Sequence, residues 1–124
     1  MENLYNNLEN SKMILDLHLE KPHPHCQDWE IEVANSNRIF EFINYFDTQP
    51  LNQYEVYFLI GVIVESYEDY LKTGKNQEVE FKIKKYLQEN FKLCKDIVEE
   101  YSCEGQPLED CFFITPLIRS INVD

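Results

Sequence analysis

Glycine is scarce, with three in 124 residues. A phosphate-cradling loop and a G-x-S-x-G nucleophile elbow both need glycines at set places, and neither motif occurs. Basic residues are scarce too: 11 Lys and Arg stand against 23 Asp and Glu, for a net charge of −12. Nucleic-acid binders draw affinity from neutralising phosphates, so a chain this acidic is a poor candidate for binding DNA, RNA or an anionic membrane. Long apolar runs are missing. The longest, Val56 to Val64, falls far short of the ~20 residues that cross a bilayer. Neither a C-x2-C pair nor an H-x3-H pair, the usual zinc signatures, is found.

What is present is a core. Apolar residues make up 44% of the chain and aromatics 14%, with eight Phe, eight Tyr and one Trp. At 124 residues the expectation is one domain, 1–124, which buries roughly two-thirds of its unfolded surface and needs no staple. The charge is uneven. Residues 1–71 hold 13 acids and 3 bases (net −10), 72–95 hold 3 acids and 7 bases (net +4), and 96–124 hold 7 acids and 1 base (net −6). A lysine-bearing segment thus lies between two acidic ones, and the natural long-range partner is a basic protein.

The opening MENLYNNLENSK has no basic n-region and no apolar h-region, so the expected location is the cytoplasm. There the four cysteines, at 26, 94, 103 and 111, are expected to be mostly free thiols. In a secreted chain the same four allow two bridges in three connectivities.

The pattern is helical almost throughout. Leu4, Leu8, Met13, Ile14, Leu15 and Leu17 predict a first helix from about Glu2 to Leu17. Trp29 to Val33 alternates apolar and acidic residues, which reads as a short strand or extended linker with Trp29, Ile31 and Val33 inward. Asn35 or Ser36 caps a helix whose stripe is Ile39, Phe42, Ile43 and Phe46. A third helix, Leu51 to Lys72, is apolar on nearly every side in its first part, as a central buried helix must be. Its end turns polar at Glu65, Glu68, Asp69 and Lys72, and Gly74 stops it. A fourth opens at Asn76 or Gln77, with Val79, Ile83, Tyr86 and Leu87 inward and Lys82, Lys84 and Lys85 outward. A fifth, Asn90 to Tyr101, carries Phe91, Cys94, Ile97, Val98 and Tyr101, either separate from the fourth or as its bent continuation. Pro116 suits the first turn of a short last helix. The expected fold class is all-α: an irregular bundle of five or six helices around a buried central helix, with room for one short extended segment.

Two sets of residues carry candidate chemistry. In EKPHPHCQDW, His23, His25 and Cys26 suggest a small metal-binding protein or a Cys/His enzyme. Their spacing does not suit one tetrahedral site, and Asp28 and Glu30 hold the Cys26 thiol protonated. A solvated loop stiffened by proline is the simpler reading, so neither metal nor cofactor is expected. The other set pairs acids with rings: Asp28, Trp29, Glu30 and Glu32; Glu65, Tyr67, Glu68, Asp69 and Tyr70; Glu99, Glu100 and Tyr101. Rings serve a protein-binding surface as buried anchors, and charges of one sign steer the partner. Alternatively, Tyr67 and Tyr70 are core-edge residues with wet hydroxyls, and the acids a solvated helix end. A plain helical adaptor is the remaining alternative.

The run DWEIEVANSNRIFEFINYF, the helix ending VESYEDYL and the closing ITPLIRSI resemble small, acidic, mostly helical bacterial immunity proteins. Such proteins are encoded beside polymorphic or contact-dependent toxins. The resemblance lies in size, charge and helical layout over most of the chain, and no site residue is carried over by it. It implies a non-enzymatic cytoplasmic inhibitor that binds a basic toxin domain, often a nuclease, and occludes its active site.

Overall fold

A computed structural model of the protein describes residues 4–8, 10–22 and 28–121. The loop with His23, His25 and Cys26, and with it the metal and nucleophile readings, lies outside the described residues. The described chain is all-helical and forms a bundle. Its α-helices are α1 (Lys12–Asp16), α2 (Trp29–Val33), α3 (Ile39–Thr48), α4 (Gln53–Tyr70), α5 (Gln77–Glu89), α6 (Lys95–Ser102) and α7 (Thr115–Arg119). Short 3₁₀ turns stand at Leu4–Leu8, Ser36–Arg38 and Leu108–Asp110.

The central helix is α4, against which α2, α3 and α5 all pack. Every residue from Phe58 to Val64 is buried, as the all-round apolar pattern requires. Its start is fixed by a capping box. The Asn52 side chain accepts from the Glu55 backbone N–H at 2.9 Å, and the Glu55 carboxylate accepts from the Asn52 N–H at 3.0 Å. The buried Glu55 does more: its other oxygen accepts from the Ser11 hydroxyl at 2.7 Å and from the Met13 N–H at 3.4 Å. One carboxylate therefore fixes the start of α4 and docks the start of α1 onto it. Asn52→Ala is expected to lower stability by about 1 kcal/mol, read from the urea midpoint.

Three expectations need correction. The first helix does not run from Glu2 to Leu17; a 3₁₀ turn precedes α1, which starts only at Lys12. Ser11 disfavours a helix interior, and here its hydroxyl goes to Glu55, 44 residues away. Next, Trp29 to Val33 is a turn of helix rather than an extended segment, with the N–H groups of Ile31 and Glu32 both donating to Asp28 O. No strand occurs among the described residues, so a strand here would have had no partner. A helical turn puts Trp29 and Val33 on one face and turns Ile31 out, 55% exposed. Lastly, Asn90 ends α5 by donating from its side chain to Tyr86 O at 2.9 Å, so α6 is a separate helix that begins only at Lys95.

The free-thiol expectation also fails in part. Gly105-Gln106-Pro107 reverses the chain after α6 and brings the Cα atoms of Cys103 and Cys111 within 5.9 Å, and the two form a disulfide. Cys94 is a free, buried thiol, its pKa pushed up to about 12 by burial and by Asp96. Among the described residues no helix is long and apolar enough to cross a membrane.

Candidate functional site

A cavity of about 80 Å³ opens where α2, α4 and α6 meet. Each helix supplies one face of it by its own periodicity. Tyr57, Gly61 and Glu65 stand four residues apart along α4, and Asp96 and Glu100 stand four apart on α6. Asp28 and Glu30 come from the start of α2. Five carboxylates thus line one small space, with Tyr57, Tyr101, Ile31 and Ile97 between them and no Lys or Arg in the lining. Gly61 allows the close approach: a Cβ there would meet Glu30 Cγ at 3.1 Å.

Like charges facing each other in a half-buried space hold on to their protons. The Glu65 pKa is pushed up to about 7, first by burial and then by Glu100, Glu68, Asp69 and Glu30. Burial also raises that of Glu30, with a hydrogen bond from Tyr5 acting in the opposite direction. The Tyr57 hydroxyl donates to the Asp96 carboxylate, and burial and that carboxylate together keep the phenol protonated.

A pH dependence follows. The folded pKa of Glu65 lies above its ordinary value of 4.5, so the folded state holds this proton more tightly. The stability tied to it is fully present below pH 4.5 and is lost as the pH rises towards about 7. Glu65→Gln is therefore expected to stabilise the protein at pH 8 and to change little near pH 4.5. Urea denaturation at the two pH values measures the difference.

The candidate residues divide. Asp28, Glu30, Glu65, Glu100 and Tyr101, named from three separate stretches of sequence, come together at the cavity. Glu32, Asp69 and Glu99 are exposed and do not line it. Asp69 pairs with Lys72 at 3.1 Å and Glu99 with Lys95 at 3.9 Å. Glu68 is occupied elsewhere: its two oxygens accept from the N–H groups of Phe113 and Ile114, at 2.9 and 2.8 Å, where α7 begins.

Trp29 and Tyr67 are not surface anchors. Trp29 is 1% exposed against Tyr5 and Phe58, with its indole N–H on Glu20 O at 2.8 Å. Tyr67 is fully buried; its hydroxyl donates to Glu80 and accepts from the Asn76 N–H at 3.1 Å. Tyr70 is half-buried and stacks on Tyr67. Tyr101 is also largely buried, but its ring reaches both the cavity and Phe112. Sequence reading passed over Tyr57, Gly61 and Asp96. The four-residue steps to Glu65 and Glu100 were the signal that would have found them.

Among the described residues no group of three or more His, Cys, Asp and Glu is placed to hold a metal ion. No protein-family model matches the chain, and no curated protein or solved structure matches it either.

Proposed function

We propose that the protein is a non-enzymatic immunity protein, which binds a basic bacterial toxin domain in the cytoplasm and occludes it. The observation that carries this reading is the acidic cavity. Burial and neighbouring carboxylates disfavour the charged forms of Glu65 and Glu30 in the free protein, and a cation entering the space they line with three further carboxylates offsets that cost. At about 80 Å³ it is well below the ~300–1,000 Å³ of a pocket for a small-molecule ligand. Its size suits the charged end of one Lys or Arg side chain presented by a protein. Tyr57 and Tyr101 give such a side chain aromatic walls, and exposed Ile31 adds apolar contact at the rim. The net charge of −12 steers a basic domain towards this face over a screening length of about 8 Å at physiological salt. That the partner is a toxin, and a nuclease in particular, rests on the resemblance in size, charge and helical layout.

Co-expression with the protein encoded beside it tests the proposal. The expected outcome is protection of the cells and a complex that survives purification at low salt. Continued toxicity together with no complex at low salt would rule the proposal out.

A further inference from the structure

The turn between α6 and α7 is closed more than once. Cys103 ends α6 with φ 54, and its disulfide to Cys111 makes the first closure. Arg119 of α7 makes the second: its guanidinium donates to the carbonyls of Ser102 and Cys103, both at 2.7 Å, and of Gln106 at 3.0 Å. Thr115 makes the third, its hydroxyl donating to Tyr101 O at 2.8 Å and accepting from the Phe112 N–H at 3.1 Å. Only the first closure depends on sulfur. With the sulfur–sulfur bond open, the other two keep the thiols within reach of each other, a condition for re-forming it. Both cysteines are half-buried, so a small thiol has access.

We infer that Cys103 and Cys111 are a reversible thiol–disulfide pair, a redox modification site whose closure stiffens one wall of the acidic cavity. The inference deepens the binding reading above and rests on it for its biological consequence, while the chemistry of the pair stands apart from any partner. Disulfides in the cytoplasm are usually transient or redox-sensing, which fits the proposed location. In closure, the Cys111 thiolate attacks one sulfur of glutathione disulfide and releases one glutathione thiolate. The Cys103 thiolate then attacks the Cys111 sulfur of the mixed disulfide and releases the second. The pair loses two protons and two electrons, and two glutathione molecules leave as thiols; opening is the reverse. The link to the cavity is short. Tyr101, a wall residue, lies two positions before Cys103, and its ring packs at 4.7 Å on Phe112, the neighbour of Cys111.

The test needs no partner. The full chain is equilibrated in glutathione buffers of graded ratio and trapped by alkylation, and labelled peptides are assigned by mass while circular dichroism follows the helices. The pair is expected to pass from disulfide to dithiol and back with the helical signal unchanged, and with Cys94 unlabelled. In Arg119→Gln the half-oxidation point is expected to move at least tenfold towards the dithiol. A Cys103→Ser/Cys111→Ser double variant should keep the helical signal, which shows that the open form folds. Amide exchange across residues 101–112 should be at least tenfold faster in the dithiol. Thiols that appear only as the helical signal is lost, a pair that does not re-form, or exchange equal in both forms would overturn the inference.

Discussion

Trp29→Ala is expected to lower the stability of the protein by about 3–5 kcal/mol, the range for a large buried aromatic cut back to a methyl group. The indole is 1% exposed, meets Phe58 edge-on at 6.1 Å between ring centres, and donates to Glu20 O. Removing it leaves a void, loses the hydrogen bond to Glu20 O, and leaves a five-residue helix with little else buried to seat it. Because Asp28 and Glu30 flank Trp29, the same change also unsettles one face of the cavity. Urea denaturation followed by far-UV circular dichroism measures the effect; tryptophan fluorescence cannot, since Trp29 is the one Trp of the chain. Ile31→Ala, two residues on and 55% exposed, serves as the control and should stay within about 0.5 kcal/mol. A Trp29 that acted as a surface anchor would behave like that control.

The contrast between Trp29 and Ile31 shows where the sequence was legible. The helical class and the central helix could be read because they depend on local pattern: nothing polar interrupts Phe58 to Val64, and Asn76 is a good cap for the helix that follows. The inward face of α5 could be read for the same reason, with Val79, Ile83, Tyr86 and Leu87 all buried. Five alternating residues at 29–33 fit either period, and only the packing of Trp29 on Phe58 decides between them. The break before α1 depends on Glu55, and the capture of Glu68 depends on α7, so neither is a local property. The disulfide depends on how Gly105 to Pro107 turns the chain. For the site, acid-rich stretches were visible one by one. Their meeting around Gly61 was not, and Tyr67, two residues from Glu65 in sequence, faces the core instead.

The other large effect is on binding. Glu65→Lys combined with Glu100→Lys is expected to weaken association with the basic partner by about a hundredfold or more, because it places two cations where a cation must enter. The two residues come from α4 and α6 and face each other across the cavity. The fold should survive the change, since the two ammonium groups stand among the remaining carboxylates of Asp28, Glu30 and Asp96; far-UV circular dichroism of the variant checks this. Glu99→Lys is the matched control, exposed on α6 outside the lining and paired only loosely with Lys95. It should slow association a few-fold through steering alone.

The most direct measurement is the affinity for the protein encoded beside this one, taken from low to high salt with the wild type and the Glu65→Lys/Glu100→Lys variant. The expected result is binding that weakens steeply with salt in the wild type and is largely lost in the variant at every salt concentration. Affinity indifferent to both salt and the two substitutions would contradict a cation-binding role for the cavity. So would an acidic partner lost on changing Lys84 and Lys85 of α5 while the cavity variant still binds.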